Sequence, residues 1–394
     1  MPHSSYTRSV PRIKVGVTDG IIAAEKAGGA YSRAHYLIGA AVGGADSFWV
    51  PDHLNSMFPR ALWNPKYCGV ANLLPSGDAY MEPWTMLGFT AARNRIGRLR
   101  NMTLGIGVTD TGRRNPAVTA QAAATLSILT KGRTILGVGP GEREGNEPYG
   151  VEWSKPVSRF EEALATIRAL WNSKGRLVNR ESPYFPLRNA LFDLPPYRGE
   201  WPQIWIGAHG PRMLRATGRY GDGYFPAFLH STQDYAHRLE IVRTAASDAG
   251  RDPMSITPAV FLPVVTGRSR NDVDEALQSH AMRAWLLTAS DELFSRYGSQ
   301  HPLGAGFSGA QDLVPHDMDE PTVLSLIKDI PAEMVRDTVL HGTPADVVDQ
   351  AAQWRDCGVR HIVLAQMGFM QPSPAKGLAS VAPYARICRL LKRL

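Results

Sequence analysis

Three short stretches carry the residue types and spacings able to do chemistry. The first is Asp52-His53. A histidine titrates near neutral pH and can give or take a proton, and here a carboxylate stands beside it. Neighbours on an extended chain point in opposite directions, so adjacency alone does not bring the two into contact. A lone histidine is more often structural than catalytic; what singles out His53 is its place at the end of an apolar run. The second stretch is Gly137-Val138-Gly139-Pro140-Gly141-Glu142. Its glycines let a ligand approach the backbone, and a carboxylate held in such a loop can serve as acid or base. It has neither the lysine of a phosphate-binding P-loop nor the spacing of a dinucleotide fingerprint. The third is Ala208-His209-Gly210-Pro211-Arg212, which opens a helix. A helix N-terminus with glycine beside it and arginine in its first turn suits an anion, and a plain helix start with an exposed arginine fits the same residues equally well.

Other chemistries lack their residues. Glu142, Glu144 and Glu147 crowd together, but no histidine spacing or paired aspartate supports a metal, so a solvated loop face is expected for them. There is no nucleophile elbow, triad signature or zinc motif. Basic and aromatic residues are not interleaved as on a nucleic-acid platform, so no nucleic-acid partner is expected.

The three stretches each follow a short apolar, β-branched run. Eight such runs predict strands at 13–18, 47–51, 102–109, 134–139, 203–208, 223–227, 256–265 and 361–366. Their near-continuous hydrophobicity (TILGVG, IVLAQ) suits a parallel sheet covered on both faces. Helical patterns lie between them. Asn115-Pro116 is a cap with proline at the first helical position, and Gly132 can end that helix. Thr343-Pro344-Ala345-Asp346 resembles a capping box, and Gly358 closes the helix behind it. Phe160, Leu164, Ile167 and Trp171 recur on one helical face. Strand and helix alternating eight times predict a (β/α)8 TIM barrel, an α/β fold, with a doubly wound sheet as the competing topology. The whole of 1–394 is expected to be one such domain. Three connections exceed the usual length, 52–82, 140–156 and 267–341, all leaving strand carboxyl ends, where barrels build active sites. The last is a long insertion after strand 7 with Trp285, Phe307 and the glycine-rich GAGFSG; it is either a lid or pocket wall or an oligomer contact.

The chain has 394 residues, 44% of them hydrophobic and 20% charged, enough for a large core and unlike a disordered protein. Cys68, Cys357 and Cys388 are odd in number and far apart, against a disulfide framework or structural zinc and in keeping with a reducing interior. The first twelve residues have no apolar core of a signal peptide, and no run approaches the roughly 18 apolar residues of a membrane span, so a soluble, cytoplasmic protein without integral membrane association is expected. The formal charge of +7 is concentrated in two places. Residues 91–114 hold six arginines against Asp110, and 386–394 hold four cations and no acid.

Longer runs carry a family resemblance. GVTDTGRRNPAVTAQAAATL (107–126), GVGPGEREGNEPYG (137–150) and GAHGPRMLRATGRYGDGY (207–224) resemble the bacterial-luciferase-like superfamily, in the branch that uses the deazaflavin coenzyme F420. RFEEALATIRALWNS, ESPYFPL, ALFDLPPYRG and AASDAGRDPMSITPA extend the likeness across most of 45–260, toward ketoreductases acting on long-chain lipids. The resemblance implies a dimeric TIM barrel with the cofactor across its carboxyl-terminal face and an apolar ketone or lipid as substrate. By position, His53 resembles the proton donor, Glu142 the carboxylate serving as acid or base, and Asp52 a cofactor neighbour. Gly107 and Val108 fall where relatives have a non-prolyl cis peptide; these two, Asp110, Pro140 and Gly141 resemble cofactor-binding positions. His209, Gly210, Arg212 and Met213 resemble the phosphate-binding turn. Arg113, Arg114 and Arg212 are the arginines left to meet an acidic cofactor tail. Met57 and Phe58 stand where sugar-phosphate relatives have tryptophan, which suits an apolar substrate. FMN is the alternative cofactor, in a luciferase-like monooxygenase or a non-catalytic flavin-binding protein.

Overall fold

The computed structural model describes residues 12–23, 43–93, 102–227 and 231–394. Eleven strands are formed: β1 (Lys14–Thr18), β2 (Ser47–Val50), β3 (Thr103–Asp110), β4 (Thr134–Gly139), β5 (Val178–Arg180), β6 (Leu187–Ala190), β7 (Gln203–Ile206), β8 (Gly223–Tyr224), β9 (Thr257–Thr266), β10 (Leu340–Gly342) and β11 (His361–Gln366). Eight of them pair in parallel in the ring β1-β2-β3-β4-β7-β8-β9-β11, and β11 returns to β1. Ring closure decides for the TIM barrel over the open, doubly wound sheet. All eight expected strands are present: 134–139 and 361–366 match end for end, and the other six differ at one or both ends. All six residues of β4 are buried, as expected for a strand covered on both faces.

The barrel interior is packed with aromatic side chains. Trp49, Trp205 and Phe225 fill it with Ile135, Ala259 and Val363. Trp49 lies 5.2 Å from Trp205 and 4.8 Å from Phe225, centroid to centroid. This packing explains Gly105 in β3, where a Cβ would come within 2.4 Å of the Trp49 ring. Outside, helix Pro156–Trp171 buries Phe160, Leu164, Ile167 and Trp171 against the barrel. Asn115 caps its helix by accepting from the Ala117 N–H at 2.9 Å, and Thr343 with Asp346 makes the expected capping box.

Two additions to the barrel were not apparent in the hydrophobic pattern. β5 and β6 form an antiparallel hairpin ahead of β7, and β10 extends the sheet beside the end of β9. The 267–341 insertion is largely helical: Arg270–Leu277, His280–Trp285, Asp291–Arg296, Glu320–Ile327 and Ala332–Asp337. Its Leu286, Phe294 and Ile327 share an apolar cluster with Leu62 and Leu74 of the 52–82 connection. The two long connections therefore support each other above the carboxyl ends of the strands.

The three cysteines are free thiols. Among the described residues, no helix is long and apolar enough to cross a membrane. The start of the chain through residue 11, and Arg95, Arg98 and Arg100 of the first basic window, lie outside the described residues. At the other basic end, Lys392 bonds Asp46 at 2.9 Å.

Candidate active site

The carboxyl ends of β2, β3 and β4 converge on one guanidinium. Arg113 Nη2 donates to the Asp52 carboxylate at 2.9 Å and to the Asp52 backbone carbonyl at 2.8 Å. Its Nη1 donates to the Gly145 carbonyl at 3.0 Å and to Asp110 at 3.4 Å. Asp52 also accepts from the Thr109 hydroxyl at 2.6 Å. Asp110 accepts from the Gly112 N–H at 2.5 Å, the Arg113 N–H at 3.1 Å and the Asn146 amide at 2.5 Å. Burial pushes the Asp110 carboxyl above its ordinary pKa, against the pull of Arg113 and Asn146. Burial likewise works against the Arg113 cation, but Asp52 and Asp110 reverse that and strengthen it.

The loop after β4 is shaped around this network. Gly141 has φ +88°, and a Cβ on it would fall 2.4 Å from Asp110 Oδ2, so conformation and space both require glycine. Pro140 and Gly141 turn the chain into Glu142, whose backbone carbonyl accepts from Asn146 at 2.8 Å. A short 3-10 turn, Arg143–Gly145, follows and carries Glu144 inward.

His53 meets Glu144 at the mouth of the barrel. Its Nδ1 lies 3.0 Å from Glu144 Oε1; the histidine is 16% exposed and the glutamate 0%. Because an ionised carboxylate only accepts, Nδ1 is the donor. Burial alone would disfavour the imidazolium, but the bond that His53 donates to Glu144 and the charges of Glu142, Glu144 and Asp52 reverse this and lift its pKa to about 9. Glu142, half-buried, is pushed up to about 7 by burial, with His53 opposing and Glu144 and Asp110 adding to the rise. The site thus holds an imidazolium and, next to it, a carboxyl poised near neutrality, the equipment for delivering and replacing a proton. The Tyr80 ring packs edge-on to His53 at 5.8 Å.

The structure brings Asp52, His53, Asp110, Pro140, Gly141 and Glu142 together around adjoining strand ends. The Gly107–Val108 peptide is cis and lies at a register shift between β3 and β4. At the end of β7, Gly210 caps helix Pro211–Tyr220, and a Cβ there would meet nothing within 4 Å; Met213 is buried. The His209 carbonyl accepts from Arg238 at 2.9 Å. None of the three arginines assigned to an acidic tail is an unpaired cation. Arg113 is held as described, Arg114 bonds Glu82 at 2.8 Å, and Arg212 bonds Glu161 at 2.5 Å.

Glu144 corrects one expectation outright. It is not part of a solvated loop face: the 3-10 turn buries it, whereas Glu147 is exposed. Arg113, Thr109, Asn146 and Tyr80 were also not singled out for this role. Most of their contacts join residues tens of positions apart, which no spacing rule pairs. The insertion also reaches the site. His316 lies 3.0 Å from the Asn55 amide, and Arg143 bonds Asp312 at 3.3 Å, which ties the insertion to the 52–82 connection and to the β4 loop.

Comparison with known proteins sets this geometry in context. The model of the luciferase-like monooxygenase family matches residues 27–361. The chain is 65% identical over 381 residues, 97% of its length and 99% of the relative's, to the phthiodiolone/phenolphthiodiolone dimycocerosates ketoreductase of Mycobacterium sp. (strain JLS). It is 57% identical over 359 residues, 91% of its own length and 93% of the relative's, to the protein of the same name from Mycobacterium bovis (strain BCG / Pasteur 1173P2). Among solved structures, an F420-dependent secondary alcohol dehydrogenase in complex with an F420–acetone adduct superposes with a TM-score of 0.71 at 18% identity, covering 95% of this chain and 98% of the other. At that identity the match shows a shared fold.

Proposed function

This chain belongs to the luciferase-like monooxygenase family, and we propose that within it the protein is an F420-dependent ketoreductase that turns the keto group of a long-chain, phthiodiolone dimycocerosate-like lipid into a secondary alcohol. The substrate class rests on the mycobacterial ketoreductases, which match nearly end to end. The solved alcohol dehydrogenase is described as F420-dependent and works on the same pair of functional groups. The observation that carries the chemistry is the His53–Glu144 pair, an imidazole held at the barrel mouth 3.0 Å from a fully buried carboxylate.

The residues present fit the cofactor. Half-buried Gly107, Val108 and Pro140 stand with Gly141 on adjoining strand ends, and exposed Gly210 opens a helix N-terminus to solvent. They would hold the ring and the phosphate, the latter with His209, Arg212 and Met213. Asp52 and Asp110, whose carboxylates are occupied by Thr109, Arg113 and Asn146, shape the wall. When bound, reduced F420 supplies the hydride. His53 delivers a proton from Nε2 to the carbonyl oxygen as it becomes an alkoxide, a contribution of roughly 10²–10⁴ in rate for a well-placed acid. Glu142 is the second proton source in the site and the alternative donor.

The family's description as monooxygenases supports a second reading, with FMN as cofactor. Titrating the purified protein with F420 and with FMN separates the two; tight FMN binding with no F420 binding defeats the ketoreductase reading. We further propose a cytoplasmic homodimer, in keeping with the three free thiols and checked by sedimentation.

A further inference from the structure

Three carboxylates are buried at the barrel mouth, and one is unlike the others. Asp52 and Asp110 are each satisfied by several donors, Arg113 among them. Glu144, fully buried, accepts from His53 alone among the described residues, and its Oε2 is buried with no hydrogen-bond partner among them. A buried carboxylate is costly unless its partner is a cation, so Glu144 and a protonated His53 require each other.

Placement of the pair is not left to two flexible side chains 91 residues apart. Arg113 grips the backbone on both sides, through the carbonyl of Asp52, the residue before His53, and through that of Gly145, the residue after Glu144. A planar guanidinium with fixed donor directions sets the spacing between the two carbonyls.

We propose that Glu144 is the positioning residue of the proton donor: by engaging Nδ1 from a buried, clamped site it holds His53 as the imidazolium with Nε2 as the delivering atom. This assignment rests on the reading of His53 as proton donor. The groups facing His53 are Glu142 and Glu144 from the β4 loop, and Asp52 and Tyr80 from its own connection; Tyr80 and Tyr149 face Glu144. Glu142 and Asp52 remain when Glu144 is neutralised, so the imidazolium is weakened and not abolished.

The test follows the His53 ring of the full-length protein by NMR, the signal being identified by its loss in His53→Gln. In Glu144→Gln the His53 pKa falls by roughly 1–2 units, the worth of one hydrogen bond to a charged group. The alkaline limb of kcat/KM for ketone reduction moves down with it, and Glu144→Asp restores part of both. An unmoved His53 pKa in a folded Glu144→Gln protein overturns the inference. A pKa that falls while the alkaline limb stays in place supports the role of Glu144 and removes His53 from the reaction, so the two failures are distinguishable. If Glu144→Gln does not fold, the wild-type ring decides: both nitrogens carry protons at pH 7, and a neutral ring there overturns the inference.

Discussion

Two histidines on the same barrel have been made into opposites by their surroundings. His53 stands at the mouth with Glu144 at 3.0 Å and Glu142 and Asp52 nearby, and its pKa rises to about 9. His361, at the start of β11 inside the barrel, bonds the Ser47 hydroxyl at 2.7 Å and packs edge-on against Trp205 at 5.0 Å. Burial among the tryptophans, with Lys14 adding to it and Asp46 opposing, pushes its pKa down to about 3. One ring is kept charged and partly exposed, where a proton can leave. The other is kept neutral and sealed, where its work is packing and one hydrogen bond. The residue type alone tells neither fate; the neighbours decide both.

The largest test of this contrast is substitution of each ring. His53→Ala is expected to lower ketone turnover by roughly 10²–10⁴ in the folded protein, and also to lower the melting temperature because buried Glu144 is left without its partner. His361→Ala is expected to lose about 1–3 kcal/mol of stability as the buried Ser47 hydroxyl keeps the Trp49 indole N–H but loses its acceptor, while the folded fraction keeps its turnover. Equal effects of the two on turnover would erase the distinction. Next comes the floor itself: Gly105→Ala pushes a Cβ into Trp49 and should cost about 1–3 kcal/mol in denaturant unfolding.

The pH dependence sharpens the comparison, because the shifts have opposite signs. His53 has a folded pKa above its ordinary 6.5, so its stabilisation is complete below pH 6.5 and is lost as pH rises toward 9. His361 has a folded pKa below 6.5, so its stabilisation is present above 6.5 and is lost as pH falls toward 3. Unfolding free energies measured across pH should therefore show His53→Gln flattening the alkaline side and His361→Gln the acid side. The smallest effect belongs to Arg212→Ala. Its pair with Glu161 is half-exposed, and removal should change stability by about 0–1 kcal/mol.

The barrel was legible because its strands announce themselves: eight apolar runs, mostly buried, separated by helices with caps at Asn115 and Thr343. The β5–β6 hairpin was not, because Val178–Arg180 and Leu187–Ala190 are short and bury only Leu187 fully, leaving no apolar run to read. At the site, His53 and Glu142 could be picked out by their places after β2 and β4. Glu144 was misjudged, and the structural role of Arg113 went unseen, for a shared reason. A sequence displays charge but not burial, so a carboxylate sealed against a histidine reads as loop surface, and an arginine tying three strand ends together reads as a cation waiting for a ligand.

Anaerobic incubation of the protein with reduced F420 and a phthiodiolone-like ketone, with the lipid product followed by mass spectrometry, tests the central claim most directly. The expected result is one secondary alcohol formed per F420 oxidised, without oxygen and at a rate collapsing in His53→Ala. Absence of the alcohol, together with oxygen uptake when reduced FMN is supplied, would contradict it.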